Sequence, residues 1–333
     1  MTGTRTGLEL ARAKNALSAA GLDPDVALTR VSSVTTEVWL TSDVAIRVNR
    51  RLDKRLRREA ALAASLPAEV RYPEVIKYGE GSGYDFLIQR RQPGTVLARA
   101  WPMMSPADRR LAVRELTFML RALHSTNTPH DITTIEDPPQ LLAVRAGSRP
   151  IEPVLAALEK ARKLPHVDSE LIATLIAFVK ATSDVIQPYS VSKLVHGDLT
   201  FENVLWDCER VSALIDFEWS RGAPSDTDLD VLLRFCAYPF LHVAADYEAD
   251  TKADDYLDVP FWVREDYPEL FNRPRALDRL RLYSIGFDVR ELLQMPPTKP
   301  PRELSEYHPL RRLARTISQR SHLDDFAHGD LRF

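Results

Sequence analysis

The 333-residue chain holds only two cysteines, Cys208 and Cys236, far apart and in no metal-type or disulfide-type spacing. A disulfide framework is therefore excluded, and a reducing, cytoplasmic setting is expected. No run of about 18 apolar residues occurs, so no membrane span is expected. The first residues lack a charged start followed by an apolar core, so no signal peptide is expected either. A basic excess is missing too. Lys and Arg number 44 against 47 Asp and Glu, a formal net charge of −3, which argues against a nucleic-acid partner. Repeats and low-complexity tracts are absent. What remains is an ordinary globular composition, 44% apolar and 27% charged, in a chain long enough for one large domain or two lobes.

Hydrophobic spacing divides the chain. Residues 7–20 predict a helix, with Leu8, Leu10, Ala11 and Leu17 as its candidate buried face and Gly21 as its stop. From Val26 to Val48 the apolar residues recur with period two, broken at Ser32-Ser33 and Thr41-Ser42-Asp43, which predicts three short antiparallel strands. Residues 53–66 predict a helix with Leu56, Ala60, Ala63 and Ala64 on one side. Val75-Ile76 and Phe86-Leu87-Ile88 predict two more strands around the turn-rich Gly79 to Gly83. After Gln92-Pro93-Gly94 helical spacing dominates, over 105–124, 151–163, 168–186, 227–237, 275–293 and 309–320. Short strands return at 193–195, 204–206 and 211–216. The fold class is α+β, with a sheet part at 1–91 and a mainly helical part at 92–333. Arg311, Arg312 and Arg315 are expected on a solvated face.

Chemistry concentrates in His196-Gly197-Asp198-Leu199-Thr200-Phe201-Glu202-Asn203 and, after a hairpin-sized gap, Ile215-Asp216-Phe217-Glu218. Apolar strands flank the first stretch, which places its polar groups on a loop with a rigid base. Phosphoryl transfer needs a carboxylate beside the acceptor hydroxyl, and oxygen ligands that hold Mg²⁺ against nucleotide phosphates. Asp198, Asn203 and Asp216 are groups of these kinds. A protein-kinase catalytic loop has its aspartate and asparagine at the separation of Asp198 and Asn203. His196 is expected to hydrogen-bond within the loop. Glu218 reads as an exposed loop acid or a second metal contact. A metal-dependent hydrolase would need more histidine ligands near the site than His196. His328-Gly329-Asp330-Leu331 repeats the first four letters with no asparagine after them, and reads as a coincidence in a frayed tail.

Residues 246–269 carry nine acids against two bases, with Tyr247, Tyr256, Phe261, Trp262 and Tyr267 among them. That stretch reads as a solvated acidic face, or as a cleft wall for a cationic, hydroxylated substrate.

HGDLTFENVLW followed by LIDFEW resembles the aminoglycoside phosphotransferase family, a relative of choline kinases and more distantly of protein kinases. The resemblance implies a bilobal, protein-kinase-like fold, with a nucleotide-binding lobe at 1–91 and a catalytic and substrate-binding lobe at 92–333. It implies ATP (or GTP) and Mg²⁺ as cofactors. The partner it implies is a small hydroxylated acceptor, cationic if it is an amino sugar or choline. By motif match, Asp198 would be the catalytic base, and Asn203 and Asp216 metal ligands. Asp228 or Asp230 would be the structural aspartate of the following helix. Arg47 sits where the family places a phosphate-contacting basic residue, and Glu59 where its glutamate partner lies. Gln89 and Arg91 belong to a stretch similar to the hinge strand that binds adenine. Leu123-His124 ends a helix as the family's equivalent does. Two departures stand out. Position 47 offers arginine, which is not interchangeable with lysine. The loop from Ser32 through Ser33 to Thr36 lacks glycine, so any phosphate contact there would use hydroxyls and backbone N–H groups. These departures motivate a non-catalytic, nucleotide-binding pseudokinase as the alternative.

Overall fold

The period-two segment folds into strands, preceded by helix α1 (Thr2–Ala19). The order is β1 (Thr29–Val31), β2 (Glu37–Leu40), β3 (Val44–Asn49), helix α2 (Arg55–Leu62), β4 (Val75–Gly81) and β5 (Tyr84–Arg90). This computed structural model describes residues 2–33, 35–51, 53–129, 150–329, 331 and 333. The five strands form one antiparallel sheet in the order β1-β2-β3-β5-β4. Strand alternation sorts side chains onto two faces. Trp39, Ile46, Val48, Phe86 and Ile88 share one face, covered by Ala13, Ala16 and Leu17 of α1. Arg47, paired with Leu87, and Gln89, paired with Ala45, stand on the other. The buried stripe of α1 therefore differs from the expected one. Small alanines let the helix lie close to the sheet, while Leu8 is exposed.

The α2 helix departs further. Its buried residues are Arg55, Leu56, Arg58, Glu59 and Leu62, while Ala64 is exposed. A buried helix face with three charges breaks the apolar-stripe rule. The break marks where the second face of the sheet meets the rest of the chain.

Beyond Arg91 come β6 (Thr95–Val96), α3 (Leu97–Ala100), α4 (Pro106–Ser125), α5 (Glu152–Ala161) and α6 (Ser169–Thr182). They are followed by β7 (Leu194–Val195), β8 (Val204–Trp206), β9 (Val211–Leu214) and β10 (Arg221–Gly222). The chain then forms α7 (Asp226–Ala237), α8 (Val259–Asp266), α9 (Ala276–Gln294), α10 (Pro309–Ile317) and α11 (His322–His328). The fold is α+β. A second core, including Leu116, Leu120, Phe201, Leu233 and Tyr283, fills the helical part and takes in Leu62 and Val70 at the foot of α2. Strands β6, β8 and β9 form one small sheet, and β7 and β10 a two-stranded pair. Between them they fix both ends of residues 196–203. None of the described helices is long and apolar enough to cross a membrane.

Three expectations change. The C-terminal segment is not frayed. Helix α11 starts with a capping box between Ser321 and Asp324, and Leu323, Phe326 and Leu331 are buried. Asp330 lies outside the described residues. Arg312 is buried rather than solvated, with Nε donating to Asp288 at 2.9 Å. The acidic stretch 246–269 is fastened to α3 and α4. Arg99 meets Asp246 at 2.8 Å, Arg109 meets Asp255 at 3.7 Å, Arg110 meets Glu265 at 3.0 Å and Asp266, and Arg121 meets Glu269 at 2.8 Å. Tyr247 and Tyr267 lie under Arg99 and Arg121, at 4.1 and 4.2 Å.

His322 is buried beside Tyr238, with ring centroids 5.4 Å apart. Burial, then Arg234, Arg312, His242 and Arg315, hold its imidazole well below the ordinary 6.5. The unfolded chain therefore takes up a proton that the native state refuses. Stability is predicted to fall as pH drops below about 6.5. His322→Gln should flatten that acid limb by up to about 1.4 kcal/mol per pH unit. Urea midpoints between about pH 7 and about pH 5 would read this, and a parental slope in the variant would refute it.

Candidate active site

The catalytic-type loop hangs from one carboxylate. Asp228, on the first turn of α7, accepts the backbone N–H of His196 at 2.7 Å and of Gly197 at 2.8 Å. His124, at the end of α4, shares a hydrogen bond with the same carboxylate at 3.0 Å, and its other ring nitrogen meets the Tyr267 hydroxyl at 3.2 Å. Burial would raise Asp228, but the His124 hydrogen bond and the Gly197 N–H hold it below the usual carboxylate value. Asp228 rather than Asp230 is therefore the anchoring aspartate. Asp230 instead accepts from Ser284 at 2.6 Å. Gly197 has φ +85°, and a Cβ there would run into the Trp219 carbonyl oxygen. His196 Nε2 donates to the Ile215 carbonyl at 3.0 Å, while Nδ1 accepts the Asp198 N–H at 3.3 Å. Its role is to tie the loop to the strand that delivers Asp216.

Asp198 and Asn203 form a joined pair. The Asn203 side-chain amide donates to the Asp198 carbonyl at 2.7 Å and reaches the Asp198 carboxylate at 3.5 Å. That commits the nitrogen and leaves the amide oxygen as a ligand-type atom. Burial, and next the neighbouring charge of Asp216, push the Asp198 carboxyl up to about 6, against the pull of His196 and Arg290.

Asp216 itself has φ 64°, the left-handed region, just after β9. Its carboxylate accepts from Arg47 Nη2 at 2.6 Å. Arg47 also donates to Glu59 at 2.6 Å and to Glu218 at 3.2 Å. The pair with Glu59 is buried, so it is not a surface ion pair. Glu59 is held from the other side by the Tyr72 hydroxyl at 2.8 Å and the Phe217 N–H at 3.1 Å. Burial opposes the charge on Arg47, but Asp216, Glu59 and Glu218 hold the guanidinium well above its ordinary value. Glu218 is not an exposed loop acid. It is 1% exposed and also accepts from Arg55 at 2.8 Å. Arg58 donates to the Glu218 and Ser220 carbonyls. Helix α2 is thus riveted to residues 216–220.

The donor set fits Mg²⁺. Asp216 lies with Glu59 and Glu218 in a group whose ligand oxygens are all within 4.8 Å of one another. Two arginines, Arg47 and Arg55, meet four carboxylates, those of Asp53, Glu59, Asp216 and Glu218, which leaves two negative charges in excess when all are ionised. Burial answers part of that excess by raising Glu59, and Glu218 to about 8. A divalent cation would answer it directly.

The remaining expected residues lie further out. Gln89 is buried on the Arg47 face of the sheet, and its amide nitrogen lacks a hydrogen-bond partner among the described residues. Arg91 follows β5, with its N–H donating to Asp43 at 2.8 Å and its guanidinium to Thr41 at 2.7 Å, so both brace the turn before β3. Ser33 donates to the Thr36 carbonyl at 2.7 Å across the glycine-free loop, in which Val34 is outside the described residues. Sequence reasoning missed Arg55, Arg58, Tyr72 and Arg290. The run RLRRE in α2, too charged for a buried stripe, was the available signal for the first two. Arg290, on α9, lies over the Trp219 ring at 5.3 Å, and no motif announces it.

Gly197→Ala should destabilise the fold by at least about 1 kcal/mol, because alanine pays for φ > 0 and meets a carbonyl. A urea midpoint equal to the parent's would contradict this account of the loop.

Residues 28–262 match the family described as the phosphotransferase enzyme family, APH. No curated protein matches. Among solved structures, ADP-bound aminoglycoside phosphotransferase APH(2'')-Ib is similar at 14% identity and TM-score 0.59, over 88% of this chain and 94% of that one. A thermostable mutant of APH(4)-Ia with ADP and hygromycin B is similar at 17% identity and TM-score 0.58, over 96% and 99%. APH(2")-IIa with streptomycin and ATP is similar at 16% identity and TM-score 0.56, over 85% and 93%. Identities this low carry the fold alone, whereas the family match spans the catalytic-type loop, Asp216 and Arg47. The chain belongs to the phosphotransferase enzyme family APH and is a phosphotransferase acting on a hydroxyl group.

Proposed function

We propose that this protein uses Mg²⁺ to transfer the γ-phosphoryl group of ATP or GTP to a hydroxyl of a small molecule, in the manner of an aminoglycoside phosphotransferase. The observation that carries the reading is the joined Asp198–Asn203 pair set against Asp216, whose carboxylate Arg47 already holds. Asp198 orients the acceptor hydroxyl and takes its proton. Asn203 and Asp216 would hold Mg²⁺, which would supply positive charge against the nucleotide phosphates. Arg47, braced by Glu59, contacts the phosphates. Gln89, the chain at Arg91 and the loop at Ser33 line the nucleotide side. In this reading residues 1–91 bind nucleotide, residues 92–333 bind acceptor and carry catalysis, and the protein works in the cytoplasm. An amino-sugar acceptor is favoured by the hygromycin B and streptomycin complexes of the similar structures, and its phosphorylation would give antibiotic resistance. The Ile215-Asp216-Phe217-Glu218 form, similar to choline kinases, keeps an amino alcohol as the second reading.

A screen of aminoglycosides, peptide antibiotics and choline with labelled ATP and Mg²⁺ tests this. Asp198→Ala should lower kcat on the accepted substrate by about 10²–10⁴-fold while nucleotide binding persists. Activity that survives the substitution would remove Asp198 from the mechanism.

A further inference from the structure

Glu218 has no role in the scheme above, yet it is among the most enclosed acids of the molecule. One oxygen accepts from Arg47 at 3.2 Å and the other from Arg55 at 2.8 Å. Its own carbonyl accepts from Arg58 at 3.4 Å. It therefore links strand β3, helix α2 and the turn that carries Asp216. We infer that Glu218 is a positioning residue, matched to arginine at position 47, that sets the guanidinium and the Asp216 carboxylate for the phosphates and metal of a bound nucleotide.

A lysine ammonium is a compact charge with three donors, and Glu59 and Asp216 alone could satisfy it. A guanidinium is a planar fork with five donors, and its Nη2 here serves two acceptors, Asp216 and Glu218. Without a third carboxylate the fork would be free to turn towards Asp216, the residue needed for metal. Glu218 takes a second contact from the same nitrogen, at 3.2 Å, and so shares the grip of Arg47 on Asp216. Its other oxygen is held by Arg55, which Asp53 holds in turn at 2.5 Å. The arginine at position 47 and the glutamate at 218 are thus one device, and either alone is a mismatch.

The inference rests on the phosphotransferase reading, and a double-mutant cycle separates the two. Binding of ADP with Mg²⁺ to the full chain is measured by calorimetry for the parent, Glu218→Gln, Arg47→Lys and the double variant, well below each thermal midpoint. Each single variant should weaken binding about tenfold or more. The double variant should bind about as well as the better single, a coupling of about 1.4 kcal/mol or more. A merely structural role for Glu218 would lower the thermal midpoint without coupling to position 47. Losses that simply multiply, or parental affinity in Glu218→Gln, would overturn the assignment while leaving the phosphotransferase reading intact. A parent that binds no nucleotide would take both down. If Glu218→Gln does not fold, Glu218→Asp, which keeps the carboxyl group and shortens the reach, is expected to weaken binding as much, and parental affinity there overturns the assignment as well.

Discussion

A buried guanidinium imposes the central constraint on this molecule. Arg47 leaves water on the inner face of a small sheet, and a charge there is tolerable only if carboxylates surround it. Helix α2 supplies Glu59, and the distant turn after β9 supplies Asp216 and Glu218. Satisfying one side chain thus requires that parts of the chain about 170 residues apart be brought within hydrogen-bond reach. The unusual polarity of α2, the αL conformation of Asp216 and the contact of Tyr72 with Glu59 all follow from that demand.

A second carboxylate does for the backbone what Arg47 does for side chains. Asp228 gathers two loop N–H groups and His124, so the catalytic-type loop needs no regular secondary structure to be rigid. Gly197 is the one residue that can turn there, because its φ is positive and the Trp219 carbonyl stands against it. Asp198 inherits its orientation from this frame and its raised pKa from burial beside Asp216.

The sequence-level reading succeeded where information is local. Strand alternation and the spacing of Asp198, Asn203 and Asp216 lie within short windows, and the family resemblance rests on the same windows. Asp228 could not be told from Asp230 by spacing, because only the three-dimensional position of His196 and Gly197 distinguishes them. Spacing leaves Glu218 between a loop acid and a metal contact, because its arginine partners are 163 and 171 residues away. In α1, Leu17 is buried and Leu10 packs on the core as the spacing predicts, but Ala13 and Ala16 take the places expected of Leu8 and Ala11, because close approach to a sheet favours small side chains on that face. Helix α11 was missed because seven residues are too few for a periodic signal. The acidic stretch was ambiguous for a similar reason, since its arginines come from α3 and α4.

Those arginine pairs differ in kind from the ones around Arg47. Arg99 with Asp246 and Arg121 with Glu269 are substantially solvent-exposed, whereas Glu59 and Glu218 are almost fully enclosed. Dissolved ions screen exposed pairs over a Debye length of about 10 Å at ordinary ionic strength and reach buried pairs far less. The two groups of ion pairs therefore answer differently to brine. Rising salt loosens the seam that fastens residues 246–269 to α3 and α4, while the cluster around Arg47 keeps its geometry.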